Sequence, residues 1–121
     1  MPPAKIVYYK DNDNSVPFLD WLDTIPAKAK IKCLAKLIWL EHLGHLARRP
    51  TADYLRDEIY ELRIGFQGIN YRVLYFFYGK TMIVVSHGII KEQRVPPPEI
   101  DRAIMRKARF YQAPEKHFHE E

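Results

Sequence analysis

Cysteine is nearly absent from this sequence of 121 residues, because Cys33 is the only one. A single thiol excludes an intrachain disulfide, so the apolar core must hold the fold together. Cys33 lies in an apolar helical run, which predicts a buried small hydrophobe rather than a catalytic thiol. No apolar run approaches the length of a membrane span, and the first residues lack an apolar signal stretch, so we expect a cytoplasmic protein.

Several motifs that indicate a particular chemistry are also missing. The sequence has no zinc-ligand spacing, no Walker loop, no catalytic carboxylate pair and no Gly-x-Ser-x-Gly elbow. His117 and His119 stand close together, but two histidines in a polar segment are weak evidence for a metal site. We therefore expect neither a metal nor another cofactor.

The composition is that of one small globular domain with a modest excess of positive charge. Apolar residues make up 47% of the chain and aromatic residues 13%, which is enough for one core. The formal net charge is +4, which fits a polyanionic partner, although many proteins without such a partner are equally basic. Composition alone therefore permits a nucleic-acid partner without requiring one.

The order of secondary-structure signals predicts a single α+β domain over residues 1–112, followed by a polar, frayed tail over residues 113–121. Strands are predicted at residues 5–9, 59–64, 70–78 and 81–87, and helices begin near Pro17, Ala27 and Glu99. The chain order is therefore β-α-α-β-β-β-α. Glycine-containing turns join the last three strands, which predicts a twisted, mainly antiparallel sheet with the helices packed against it.

The second predicted helix, from about Ala27 to Leu43, carries two features. Its apolar side is predicted from helical spacing to consist of Ile31, Leu34, Leu37 and Ile38. Lys28, Lys32 and Lys36 follow one another at intervals of four residues and so share a face. Such a row is typical of a solvated helix face, and the alternative is a surface that follows phosphates.

Basic residues and one histidine interrupt the apolar strands or follow them directly. They are Arg63, Arg72, His87, Lys91 and Arg94. Because a meander brings neighbouring strands together, these five side chains are predicted to line one concave face of the sheet. Each also has a purely structural interpretation. For the buried Arg72 that interpretation is an ion pair with Glu61 or Glu58.

The five residue types suit metal-free cleavage of RNA. In that reaction the substrate's own 2′-hydroxyl is the nucleophile, and the enzyme supplies a base, cations for the phosphorane charge and an acid for the leaving 5′-oxygen. Arginine contacts phosphate oxygens in a bidentate manner, and histidine or a lysine with a lowered pKa transfers protons.

Four stretches form a fairly specific ordered set: residues 60–63 (YELR), 71–76 (YRVLYF), 86–91 (SHGIIK) and 98–100 (PEI). At these stretches the sequence resembles the RelE/ParE toxin superfamily, and within it the phage-derived HigB-like branch of type II toxin–antitoxin systems. The resemblance spans about Lys5 to Tyr111. It implies a RelE-like fold and an endoribonuclease that cleaves mRNA in the ribosomal A site. It also implies a cognate antitoxin with a helix-turn-helix domain, and contact with operator DNA only through the complex.

The resemblance assigns roles by position. Arg63 and Arg72 match the strand arginines of the family, His87 its strand-end residue, and Lys91 the first of two lysines that follow the third strand. Glu92 replaces the second lysine. The general base and acid therefore stay open among His87, Lys91 and Glu92. Contact with ribosomal RNA or the message is expected at Lys28, Lys32, Lys36 and Arg94.

Two other functions are compatible with the sequence. A ParE-like toxin would poison DNA gyrase without cutting RNA, and it would have no need for the basic cluster described above. A non-catalytic RNA-binding module, or a degenerate toxin kept for repression, would retain the fold and lose the chemistry. The ribosome-dependent mRNA interferase is the function that the residues favour.

Overall fold

The computed structural model describes residues 4–91 and 93–121, and within them six strands form one sheet with helices on both faces. The strands are β1 (Lys5–Tyr9), β2 (Ala52–Arg56), β3 (Ile59–Phe66), β4 (Ile69–Tyr78), β5 (Met82–Ile90) and β6 (Phe118–His119). The helices are α1 (Pro17–Leu22), α2 (Ala27–Leu43) and α3 (Pro97–Gln112), with 3-10 turns at Gly44–Leu46 and Pro114–Lys116. The predicted α+β class is confirmed.

The strands lie in the order β2-β3-β4-β5-β1-β6. Only the β1–β5 pair is parallel among these strands, so the sheet is mainly antiparallel, as predicted. Tight turns join β2 to β3 at Asp57–Glu58 and β3 to β4 at Gln67–Gly68, and all four residues have positive φ. That backbone conformation matches the right-handed twist of the flanking strands, which keeps the β3–β4 register continuous.

Alternation along the strands divides the core into two parts. On one face, Tyr71, Val73 and Tyr75 of β4 pack with the buried side chains of α1 and α2. On the other, Leu74 and Phe76 pack with α3 through Ile100, Ala103 and Phe110. Because successive strand residues point to opposite faces, each polar strand residue is assigned to the α1–α2 face or to the α3 face.

A close approach between α1 and β5 occurs at Gly88. A Cβ atom at this position would lie 2.2 Å from the indole ring of Trp21. The absence of a side chain therefore lets α1 pack directly on β5. Gly88 directly follows His87, whose side chain lies on the opposite face.

The apolar side predicted for α2 was wrong in part. Ile31 and Ile38 are exposed. The helix instead buries Ala29, Cys33, Leu37 and Leu40. Small side chains at two of these positions let the helix axis approach the sheet closely. The buried position of Cys33 agrees with its predicted role as a small hydrophobe, and burial raises the pKa of its thiol to about 11.

The C-terminal segment, predicted to be a frayed polar tail, is instead paired with the sheet. Its strand β6 runs antiparallel to β1. The ring of His117 stacks on Tyr9 at 5.1 Å, and its Nδ1 lies 2.8 Å from the carbonyl oxygen of Lys10. His119 contacts Glu121 instead, so the two histidines have separate partners. Among the described helices, none has both the length and the apolar character needed to cross a lipid bilayer.

Candidate functional site

The register places Arg63, Arg72 and His87 on the α3 face of the sheet. Arg63 of β3 stands directly opposite Arg72 of β4. His87 of β5 stands opposite Leu74, which packs with α3. Arg72 and His87 are therefore diagonal neighbours, a relation that separates the two residues by about 7–8 Å in an antiparallel pair.

Carboxylates bridge the arginines on this face. Glu61 accepts a short hydrogen bond from Nε of Arg63 and one of 2.8 Å from a terminal nitrogen of Arg72. Asp53 of β2 accepts a hydrogen bond of 3.1 Å from Arg63 and forms an ion pair of 3.0 Å with Arg49. We call these five residues the arginine–carboxylate chain. The carboxylates offset the repulsion between two arginines that face each other across a strand pair.

The members of the arginine–carboxylate chain differ in how deeply they are buried. Glu61 is 1% exposed and the Arg72 side chain 11%, whereas the Arg63 side chain is 38% exposed. Partial burial opposes ionisation of Asp53, but hydrogen bonds from Arg49 and the Tyr54 N–H, with the charges of Arg49 and Arg63, lower its pKa. Arg72 thus has the structural ion pair with Glu61 that its sequence context allowed, and Arg63 is the strand arginine that reaches solvent.

His87 is 5% exposed, and both of its ring nitrogens have partners. Nδ1 lies 2.7 Å from the Ser86 hydroxyl, and Nε2 lies 3.0 Å from a carboxylate oxygen of Glu99 in the first turn of α3. Burial, and then the charge of Arg106, lower the pKa of His87 to about 4, although Glu99 opposes the shift. The imidazole is therefore neutral at neutral pH. Nε2–H then donates to Glu99, and Nδ1 accepts from Ser86.

Glu99 is the solvent-facing member of this pair. Its side chain is about one quarter exposed, and it also contacts Arg102 at 3.4 Å. A carboxylate that accepts from a buried neutral histidine is held in a fixed orientation. Any exchange of protons between this pair and a substrate would therefore pass through Glu99 rather than directly through His87.

The loop residues of the predicted site lie at the end of β5. The Lys91 N–H donates to the carbonyl oxygen of Asn70, 3.1 Å away, which continues the β4–β5 ladder by one residue. Lys91 and Arg94 are both exposed. Glu92, the third candidate for acid–base chemistry, lies outside the described residues.

The lysine row of α2 lies on the other side of the sheet, beside a cleft of about 620 Å³. Lys28 is exposed and does not line the cleft, whereas Lys32 and Lys36 do. The Lys32 amino group lies 5.6 Å from the centre of the Phe66 ring, and that of Lys36 lies 5.9 Å from Trp39. The structure therefore separates the predicted RNA-binding row from His87 and Arg72, whereas Arg63 lines the same cleft as Lys32 and Lys36.

Sequence reasoning missed three functional groups of this region. Asp53 was overlooked because residues 52–56 were not recognised as a strand, and only strand pairing brings it beside Arg63. Glu99 was predicted only as the start of a helix, and Ser86 was given no role of its own. One signal could have revealed Asp53. If β2 is assumed to pair with β3, strand alternation places the acidic Asp53 and Glu61 on the same face as the basic Arg63.

The comparisons with known proteins identify the family of the chain. The family described as phage-derived protein Gp49-like (DUF891) has a model that matches residues 20–108. That range holds α2, the arginine–carboxylate chain, His87, Lys91 and Glu99, and it covers well over half of the chain. No curated protein matches the chain. The chain therefore belongs to the Gp49-like family of phage-derived proteins, which is a toxin-like family of the RelE/HigB type.

Proposed function

We propose that this protein is the toxin of a type II toxin–antitoxin system, of the HigB-like branch, and that it is a ribosome-dependent mRNA interferase. Family membership supports the toxin class and an antitoxin partner. One observation carries the enzymatic part of the proposal. The solvent-reaching guanidinium of Arg63, oriented by two carboxylates, shares a sheet face with the His87–Glu99 pair.

In the proposed reaction no metal takes part. Glu99, oriented by His87, accepts the proton of the substrate 2′-hydroxyl, and the 2′-oxygen attacks the adjacent phosphorus. A 2′,3′-cyclic phosphate forms as the bond to the 5′-oxygen breaks, and Lys91 donates the proton that this leaving oxygen takes up. Arg63 contacts the non-bridging oxygens, where negative charge develops. Arg72 acts through Glu61 and positions Arg63.

The proposed partners follow from this assignment. The antitoxin carries a helix-turn-helix domain, and operator DNA is contacted only through the toxin–antitoxin complex. The ribosome presents the message, and the basic residues Lys28, Lys32, Lys36 and Arg94 contact RNA. The proposed site of action is the cytoplasm.

Inducible expression in cells tests the proposal, with growth and primer extension on a reporter mRNA as the two measurements. We expect wild-type protein to arrest growth and to create new 5′ ends inside translated codons. Arg63→Ala and Glu99→Gln should each abolish these ends. Arg56→Ala is the matched control, because the Arg56 side chain is 42% exposed and also contacts two carboxylates, Asp57 and Asp101.

Each alternative has its own outcome, provided that circular dichroism shows the variants to be folded. Growth arrest without new 5′ ends would replace the interferase with a gyrase poison. No arrest at all would indicate a binding or degenerate module. Loss of cleavage in Arg56→Ala as well would show that the arginines of this face act through stability and not at a site.

A further inference from the structure

The cleft between α2 and the β2–β3 region, called here the α2 cleft, has a composition suited to a nucleotide. Nine residues line its walls, of which three are cationic and none is acidic. The cations are Lys32, Lys36 and Arg63, and Arg63 also belongs to the arginine–carboxylate chain. An anion that enters this cleft therefore meets cations and no carboxylate in its lining.

Two of the cations are paired with aromatic rings. The amino groups of Lys32 and Lys36 lie within 6 Å of the rings of Phe66 and Trp39, and both rings are half-buried. A solvated lysine row would project into water, but here two of the three lysines lie beside rings at the wall of a cleft. At both lysines, a positively charged amino group thus lies next to the apolar face of an aromatic ring.

We infer that the α2 cleft binds a segment of single-stranded RNA, with a base stacked on Trp39 and the adjoining phosphates close to Lys32 and Lys36. Stacking on aromatic rings combined with a cationic groove is how proteins hold single strands without reading their sequence. A duplex would not fit this description, because its bases are already stacked on one another. The inference rests on the proposed function for the choice of RNA, and it adds a subsite at α2 that borders the proposed catalytic site at Arg63, which also lines the cleft.

The test is binding of a short fluorescent 2′-O-methyl oligoribonucleotide to the purified protein, measured by anisotropy and by tryptophan emission. The methyl group blocks the 2′-oxygen and so prevents cleavage. Binding is therefore measured independently of catalysis, and failure of one proposal leaves the other testable. We expect Trp39→Leu to weaken binding about tenfold. Trp39→Phe should keep binding within about threefold. Trp39→Phe should also lose the change in tryptophan emission that accompanies RNA binding, because Trp21 is then the only tryptophan.

Charge is tested separately through the dependence of binding on salt. Lys32→Gln/Lys36→Gln should reduce the slope of log K against log salt by about 1.4, since each single-strand phosphate contact contributes about 0.7. Lys107→Gln is the matched control, because its amino group lies 5.9 Å from the Tyr111 ring in a cleft that also contains Asp57. This variant should bind like wild type.

Three results would overturn the inference. One is equal affinity for a duplex of the same sequence, and another is unchanged affinity in a folded Trp39→Leu variant, since both would mean that attraction of charge alone holds the RNA. The third is the absence of binding at millimolar oligonucleotide. Thermal unfolding of every variant separates these results from loss of the fold.

Discussion

Two cationic regions of this molecule meet at Arg63 but differ in what neutralises the charge of their other members. In the arginine–carboxylate chain every arginine lies beside Asp53 or Glu61, and the inner part of the chain is buried. In the α2 cleft Lys32 and Lys36 lie beside aromatic rings. The first region has much of its charge balanced within the protein, whereas the second presents its charge to an external anion.

This difference predicts different consequences of mutation. A buried ion pair is costly to break, because the partner that is left keeps an uncompensated charge away from water. An exposed lysine beside a ring contributes little to folding and is free to contribute to binding. We therefore expect the arginine–carboxylate chain to carry stability as well as chemistry, and Lys32 and Lys36 of the α2 cleft to carry binding alone.

The largest expected effect is that of Arg72→Ala. It removes the more buried of the two arginines that contact Glu61. Since Glu61 keeps the half-exposed Arg63 as a partner, we expect the free energy of unfolding to fall by about 3 kcal/mol, the low end of the range for a broken buried ion pair. Urea denaturation measures this change. The double variant Arg72→Met/Glu61→Leu, which removes both charges, should regain at least half of the loss. If the double variant were no more stable than Arg72→Ala, loss of packing rather than the weakened pairing of the Glu61 carboxylate would explain the effect.

The next effect is the dependence of stability on pH through His87. Its pKa is lowered from 6.5 to about 4 in the folded protein. Between these pH values the unfolded chain binds a proton that the folded chain does not, so the free energy of unfolding falls as the pH falls. By pH 4 the loss amounts to roughly 3 kcal/mol. The carboxylate of Asp53, whose pKa is also lowered, contributes to loss of stability mainly below this window.

His87→Gln tests this assignment, because glutamine does not titrate. Urea denaturation between pH 4 and pH 7 should show a flatter profile for this variant than for wild type. His42→Gln, which alters an exposed histidine of α2, is the control and should keep the wild-type profile. An unchanged slope in His87→Gln would assign the pH dependence to other groups.

A smaller effect is expected for Arg63→Gln. The side chain is 38% exposed, and Glu61 keeps Arg72 as a partner, so the loss of stability should be about 1 kcal/mol. Cleavage should nevertheless be lost, because Arg63 is the proposed phosphate contact. Thermal unfolding and primer extension on the same preparation give the two values. If Arg63→Gln lost as much stability as Arg72→Ala along with its cleavage activity, Arg63 would have a structural role like that of Arg72 and not a separate catalytic one.

The smallest effect on stability is expected in the α2 cleft. Lys32→Gln/Lys36→Gln should change the free energy of unfolding by no more than about 0.5 kcal/mol, while it weakens RNA binding. Urea denaturation beside the anisotropy measurement shows whether folding and binding separate. A loss of stability similar to that of Arg72→Ala would mean that the comparison between the two regions does not hold.

The sequence predicted the elements better than their packing. Alternation and turn residues located the core of β3, β4 and β5, because those signals are local. In α2 apolar residues occur on nearly every side, so helical spacing alone did not distinguish the buried Ala29 from the exposed Ile31. Strands β2 and β6 were missed because short strands without a clear apolar pattern are set by the edge that they pair with.

The same division applies to the candidate site. The sequence is sufficient to identify the cations and the strands that carry them, since a basic residue inside an apolar run is visible without coordinates. The contacts of each side chain depend on the fold: Glu61 lies between two arginines, Glu99 contacts His87, and aromatic rings lie beside the α2 lysines. Those partners are distant along the chain or come from different elements, and strand register and helix packing bring them together.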